Sequence, residues 1–331
     1  MIISRTPFRI SFFGGGTDYP GWYETHGGAV LSAAINRYCY LTCRRLPPFF
    51  PHRFRIAYSV MESTKTVEEI QHPSVRACLQ FMDIQEGLEI HHDSDLPKQS
   101  GLGTSSSFAV GLLHTLHRFK GQSVDARQLA REAIHVERVL CGENVGSQDQ
   151  VATALGGLNH ITFGPGEQWQ AEPVRLAAER QLELQRHLML FFTGFSRFAS
   201  EIVVEQLQNM SRKTAELNQL RAFVDDGQRI LTGAGSLDGF GALLHEGWML
   251  KRSLSSRISK PEIDTLYEAA RRAGALGGKI CGAGGGGFLL LFARPEQQQA
   301  IKSALAPCLH VPFAFDHQGT QIIFSETEQP T

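Results

Sequence analysis

Pro97-Lys98-Gln99-Ser100-Gly101-Leu102-Gly103-Thr104-Ser105-Ser106-Ser107 runs directly into an apolar pattern of helical spacing, Phe108, Leu112, Leu113, Leu116 and Phe119. Gly101 and Gly103 let the backbone turn without a Cβ in the way, and the hydroxyl run from Thr104 to Ser107 opens the helix. The first N–H groups of a helix have no partner inside it, and its dipole favours negative charge there. Glycines, hydroxyls and free amides together therefore predict a phosphate cradle. A bare Ser-Ser would read as an ordinary N-cap. The P-loop is excluded, because it needs G-x-x-x-x-G-K-[ST] and Lys279 is followed by Ile280.

A second glycine cluster spans Gly277-Gly278-Lys279-Ile280-Cys281-Gly282-Ala283-Gly284-Gly285-Gly286-Gly287 and leads into Phe288-Leu289-Leu290-Leu291-Phe292. Gly282, Gly284 and Gly287 spell G-x-G-x-x-G. That fingerprint should open a helix, whereas a buried-strand run follows, so a dinucleotide site is not predicted. Instead the cluster suggests backbone brought close to a ligand or to the first loop. A third cluster opens the chain: Arg9 sits on a strand-like run, 2 to 13, and Gly14-Gly15-Gly16 deliver Thr17 and Asp18 at its end. A hydroxyl and a carboxylate are groups that grip sugar hydroxyls, while arginine is a fixed cation.

Three glycine-rich elements in this order resemble the GHMP kinases, the family of galactokinase, homoserine kinase, mevalonate kinase and phosphomevalonate kinase. The resemblance spans the chain. Residues 97 to 106 look like that family's Pro-x-x-x-Gly-Leu-Gly-Ser-Ser nucleotide motif, with Thr104 where serine is usual. Residues 279 to 287 look like its closing motif, and Arg9 with Gly14 to Asp18 resembles the opening motif of its sugar-kinase branch. The resemblance implies an α+β two-domain GHMP kinase fold. Its N-terminal, ATP-binding domain, 1–175, would be ribosomal protein S5 domain 2-like, and its C-terminal domain, 176–331, a ferredoxin-like α/β unit.

The resemblance further implies ATP and Mg²⁺ as cofactors, with ATP held by Pro97, Ser100, Gly101, Leu102, Gly103, Thr104, Ser105, Ser106, Gly282, Gly284 and Gly285. Glu137 would hold the metal with Thr104 or Ser105. Asp149, after Gly146-Ser147-Gln148, would be the catalytic carboxylate beside the acceptor hydroxyl, and Arg9 would stabilise charge between it and the γ-phosphate. One residue more separates the two acids than in mevalonate kinase, so Glu143 stays open as the metal ligand. Gly16, Thr17 and Asp18 would orient a phosphorylated sugar. With Gly146 to Gln150, they point to a heptose 7-phosphate accepting phosphate at its anomeric C1 hydroxyl. Its own phosphate needs cations, for which Arg44, Arg45, Arg53, Arg55, Lys98 and Arg197 are available. Arg197, at a helix start after Thr193-Gly194-Phe195-Ser196, is the candidate singled out. Another sugar such as fucose, or a kinase-like sensor without catalysis, remains an alternative.

The chain has 331 residues, 42% of them apolar, enough for two cores. A formal charge of −1 argues against general attraction to nucleic acid or anionic membrane, and no apolar run approaches a membrane span. Cysteines at 39, 43, 78, 141, 281 and 308 show no CxxC or zinc-like spacing, so reduced thiols and a cytoplasmic location are expected. Histidines form no metal-binding motif, and His91-His92 read as a strand end near the surface. A homodimer is kept open.

Further strand-like runs lie at 29 to 44, 54 to 60, 87 to 92, 158 to 163 and 188 to 193. Asp125 should cap a helix ending near Gly142, a long helical stretch is predicted over 197 to 232, and Ser259-Lys260-Pro261-Glu262 reads as a capping box before a helix over 260 to 273. A turn is expected at His317-Gln318-Gly319 between the last strands.

Overall fold

The computed structural model describes residues 1–195 and 199–326. In chain order it holds β1 (Ile2–Phe13), α1 (Pro20–His26), β2 (Gly28–Arg45), β3 (Phe54–Ala57), β4 (Met61–Thr64), α2 (Pro73–Phe81), β5 (Leu88–Ser94), α3 (Thr104–Phe119) and α4 (Ala126–His135). A π-turn, Val136–Leu140, then leads to α5 (Gln148–Leu155), β6 (Leu158–Gly164), β7 (Gln168–Pro173), α6 (Ala178–His187), β8 (Leu188–Phe192), α7 (Ala199–Asn209) and α8 (Thr214–Thr232). The chain closes with α9 (Asp238–Arg252), α10 (Pro261–Arg272), β9 (Gly277–Ile280), β10 (Phe288–Phe292), α11 (Gln298–Ala304), β11 (Leu309–His310) and β12 (Gln321–Ser325).

Two sheets result. The larger has the order β12-β1-β2-β5-β3-β4, with β6 also pairing with β2 and then with β7. β2 is long enough to fork: Gly28 to Ala33 pair with β6, and Cys39 to Arg45 pair with β5. β1 is buried almost without alternation because α3 and α5, and also α8 and α9, pack against it. Even so its sequence is not a continuous apolar run, since Ser4, Thr6, Arg9 and Ser11 are buried within it. The register of β1 on β2 shifts between Pro7 and Phe8, immediately before Arg9. Proline lacks the N–H a regular ladder needs, and such a bulge re-aims the residues that follow. The smaller sheet, β11-β8-β10-β9, is antiparallel. Phe240 joins the two cores, with ring centroids 5.3 Å from Phe12 and 5.9 Å from Phe292.

Several local expectations are corrected. The run 54 to 60 is a short strand and a turn into β4, which the sequence reading missed along with β7, α1, α2, α6 and α9. The stretch 197 to 232 is divided by a 3₁₀ turn at Met210–Arg212, and its beginning lies outside the described residues. No capping box forms before α10: Lys260 occupies the cap position without a side-chain bond, and Ser259 Oγ donates to Asp264 Oδ1 at 2.5 Å. Pro261 takes the first helical turn, so the hydroxyl falls one residue too early. The turn at 317 to 319 forms, with Asp316 Oδ1 accepting from the amides of Gln318 and Gly319 at 2.9 Å. The strands either side do not pair, since β11 belongs to the smaller sheet and β12 returns to β1. All six cysteines are free, and among the described residues no helix is long and apolar enough to cross a membrane.

Candidate active site

A cavity of about 1080 Å³ runs between the three glycine clusters. Its wall is anchored where α3 begins. Gly101 (φ +78°) and Gly282 (φ +70°) pack backbone to backbone: a Cβ on Gly101 would stand 2.4 Å from the Cys281 carbonyl oxygen, and one on Gly282 2.6 Å from Gly101 Cα. Only glycine permits that approach. The loop between β9 and β10 is thereby seated on the loop before α3.

Arg9, buried on β1, crosses from the large sheet to this junction. Its Nε donates to Asp149 Oδ1 at 2.7 Å, one Nη to Asp149 Oδ2 at 2.6 Å, and the other Nη to the Gly101 carbonyl at 2.8 Å. The two parallel bonds form a fork that a lysine could not make. Asp149, in the first turn of α5, remains partly open to the cavity, its side chain 23% exposed. Asp18 is buried beside it, accepting from the Gly16 amide at 2.9 Å and from Gln148 Nε2 at 2.8 Å. Burial raises the Asp18 carboxyl above its usual range, and the charge of Asp149 adds to that, against the two hydrogen bonds.

Glu137 is fully buried behind the start of α3. Ser105 and Ser106 donate their hydroxyls to it, Ser106 at 2.7 Å, and Gln150 Nε2 donates at 2.6 Å. Burial pushes its carboxyl up to about 7; the serine bonds lower it and the charge of Glu143 raises it further. Glu143 lines the cavity itself, and burial raises its carboxyl too. Neighbouring carboxylates with hydroxyls at hand are the hard oxygen donors a small divalent ion takes. Among the described residues no group of three or more His, Cys, Asp or Glu gathers as a metal site. The donor set therefore fits an ion that shares its remaining ligands with phosphate and water.

The structure brings most of the expected residues to this cavity. Arg9, Gly16, Asp18, Pro97, Gly101, Gly103, Thr104, Ser105, Ser106, Asp149, Gly282 and Gly284 line it. Ser100 and Leu102 are buried beneath the loop, Gly285 is bonded through its amide to the Ile258 carbonyl, and none of the three lines the cavity. Thr17 is not brought there either. Its hydroxyl bonds the carbonyls of Gly14 and Ala29, both at 2.9 Å, so it ties the turn to β2. Arg197 lies outside the described residues. Arg44 and Arg55 meet on the buried Glu89, Arg45 pairs with Glu86, and Arg53 donates to the Gln85 carbonyl; none of these four lines the cavity.

Among the described residues the cations that do line it are Arg9, Lys98, Lys251 and Lys279. Lys251 was legible only in retrospect: with Phe240, Leu244 and Trp248 it occupies the buried face of α9, where the repeat requires an apolar residue. Lys279 is buried in β9 and bonds the carbonyls of Ser11 and Phe12 at 2.8 and 3.2 Å. His92, expected near the surface, instead lines the cavity with its ring edge-on to Phe108, whose other neighbour is the stacked His72. Tyr58, edge-on to His72, extends this flat aromatic wall.

Comparison with known proteins places the chain in a family. Residues 65–157 match the family described as GHMP kinases N terminal domain, and 229–308 match GHMP kinases C terminal, together just over half of the chain. The D-glycero-alpha-D-manno-heptose 7-phosphate kinase of Campylobacter jejuni is 28% identical over 316 residues, 92% of this chain and 93% of the relative. A bifunctional fucokinase/GDP-fucose pyrophosphorylase of Arabidopsis thaliana is 27% identical over 88% of this chain, which spans only 30% of that larger protein. The crystal structure of a D-glycero-D-manno-heptose 1-phosphate kinase from Bacteroides thetaiotaomicron superposes with a TM-score of 0.81 over 99% of this chain and 100% of that one. At 23% identity it speaks for the fold alone. With both family domains in order along one chain, and their glycine motifs meeting around a single cavity, the protein belongs to the GHMP kinases.

Proposed function

We propose that this GHMP kinase is an ATP-dependent carbohydrate kinase that phosphorylates the C1 hydroxyl of a heptose 7-phosphate, giving the 1,7-bisphosphate. The observation that carries the reading is the Arg9–Asp149 fork, set between the α3 phosphate cradle on one side and Asp18 on the other. The similarity to the Campylobacter jejuni heptose 7-phosphate kinase supports the acceptor. The fucokinase similarity supports fucose as the second reading. An ATP-binding half, 1–175, and a second half, 176–331, follow from the kinase reading, with β12 crossing back to the first sheet.

The roles follow from position. Free amides and hydroxyls at Gly101 to Ser106 hold the nucleotide phosphates. Glu137 with Ser105 or Thr104 would hold Mg²⁺, which when bound neutralises phosphate charge; Glu143 is the alternative ligand. Asp149 accepts the acceptor's proton as its oxygen attacks the γ-phosphorus in line, while the two bonds from Arg9 keep that carboxylate aimed and place a fixed cation beside the charge in transfer. Asp18, fixed by Gly16 and Gln148, orients the sugar hydroxyls. Arg197 is kept as the candidate for the sugar's own phosphate.

A screen of heptose 7-phosphate, free heptose, fucose and galactose with MgATP, monitored for ADP and followed by NMR of the product, tests this. A charge-assisted arginine–phosphate contact contributes about 1.5–3 kcal/mol, so the phosphorylated heptose should be preferred about tenfold or more in kcat/KM. Equal or better kcat/KM with fucose would reject the heptose and leave the kinase.

A further inference from the structure

Lys251 is a buried ammonium with no role in the steps just described. It projects from the last turn of α9, a position the helix's apolar repeat assigns to the core, yet it lines the cavity. A lysine ammonium has three donors. Among the described residues only one finds a hydrogen-bond acceptor, the Gly282 carbonyl at 2.5 Å, and no carboxylate lies within ion-pair distance. Burying such a charge without full pairing is costly, and an anion brought into the cavity would supply the missing partners.

The surroundings say where that anion sits. Measured from the position a Cβ would take on Gly15, Ser11 Oγ is 3.7 Å away, Gln148 Nε2 3.8 Å and Lys251 Nζ 3.9 Å. Ser11 Oγ is itself buried without a partner. Through Gly282, which rests on Gly101, the lysine is tied to the same junction whose Gly101 carbonyl holds Arg9. The charged and titratable groups acting on it are Asp18, Asp149, Arg9, Lys279 and Cys281. These surround the transfer centre. A sugar's distal phosphate lies a ring's width from the reacting hydroxyl, so its cation should stand apart from Asp149 and this loop.

We propose that Lys251 is a catalytic residue, its ammonium donating to the oxygens of the phosphoryl group in transfer. The inference rests on the kinase reading. In the step, a lone pair of the acceptor oxygen forms the new bond to the γ-phosphorus, the bond to the β–γ bridging oxygen breaks with its pair going to ADP, and the acceptor's proton goes to Asp149. Lys251 gains and loses no proton; it meets charge that shifts during transfer, where a fixed donor contributes most. Burial lowers its pKa to about 8, with Asp18 pulling it back up, so in the free enzyme it is charged at neutral pH and discharged above.

The experiment is steady-state kinetics of wild type, Lys251→Met and Lys251→Arg with MgATP and heptose 7-phosphate, or whichever sugar of the screen releases ADP. Lys251→Met should lower kcat about 100-fold with both KM values within about threefold. The wild-type kcat/KM should decline above pH of about 8, and Lys251→Arg, which stays charged, should abolish that limb. A raised KM for the phosphorylated sugar with unchanged kcat would give the lysine to the acceptor's phosphate and overturn the proposal. Unaltered kinetics, or a basic limb that persists in Lys251→Arg, would overturn it as well. If Lys251→Met does not fold, the arginine variant and its pH profile decide alone. No ADP from wild type with any sugar would instead reject the kinase reading on which the inference stands.

Discussion

Glu137→Gln should make the ligand-free protein more stable at pH 8 while weakening its use of magnesium. The Glu137 carboxyl sits at about 7 in the folded chain against an ordinary 4.5, because it is buried and Glu143 adds a like charge. Between those values the folded state keeps a proton that the unfolded chain has released. Stability therefore falls as pH rises from about 4.5 through about 7, and the loss is complete above. A difference of about 2.5 pH units at about 1.36 kcal/mol each sets it at about 3 kcal/mol. Glutamine carries no charge, and its carbonyl can still accept from Gln150 while the serine hydroxyls rotate to receive its N–H groups. Urea unfolding of both proteins at pH 5 and pH 8, without nucleotide and with a chelator, reads the effect. The variant should gain up to about 3 kcal/mol over wild type at pH 8 and little at pH 5. With ATP and sugar, its magnesium requirement should rise far more than that of Glu143→Gln, since a direct hard-oxygen ligand is lost. Parallel pH dependences for wild type and Glu137→Gln would refute the buried-charge reasoning, and a larger magnesium effect from Glu143→Gln would move the ligand to Glu143.

Asp149→Asn should lower kcat about 100-fold or more while ATP affinity, measured by calorimetry, changes little, because the carboxylate acts as the acceptor attacks; near-normal kcat would reject its role. Gly101→Ala should weaken ATP binding at least about tenfold and lower the melting temperature, since the new Cβ would meet the Cys281 carbonyl at 2.4 Å in a left-handed backbone conformation. An alanine variant with unchanged nucleotide affinity would show that the two glycine loops need not touch.

The parts of the site that were legible in the sequence are those whose chemistry is local. A hydroxyl run after two glycines determines where α3 begins, and the glycines between β9 and β10 announce a close backbone approach whatever lies opposite. Side-chain direction is a different matter. Thr17 and Asp18 are adjacent and both polar, yet Asp18 turns to the cavity while Thr17 is spent on the carbonyls of Gly14 and Ala29. No spacing rule separates them, because the choice depends on where β2 passes. Arg44 and Arg55 read as free cations until β2, β3 and β5 bring them onto Glu89. Lys251 shows the reverse: its signal was a charge on an apolar helical face, which becomes visible only once α9 is recognised as a helix.

The extra residue that the resemblance implies between Glu137 and Asp149 can be accommodated by the π-turn. There the Cys141 amide bonds the Val136 carbonyl at 2.8 Å, five residues back, and the Glu143 amide bonds the Glu137 carbonyl at 2.9 Å. A π-turn is one residue wider than an α-turn and occurs mostly as a single turn within helices, often at functional sites. Here the added width falls on the outside, where Val139 and Leu140 are 57% and 46% exposed. Glu137, at the start of the turn, keeps the inward face and its bonds to Ser105 and Ser106. The segment after it still delivers Asp149 under Arg9. An insertion in an ordinary α-helix would rotate everything downstream by about 100° and turn the segment leading to Asp149 away from Arg9. The widened turn holds Glu137 on the α3 serines while Glu143 lines the cavity, which leaves Glu143 as the alternative metal ligand.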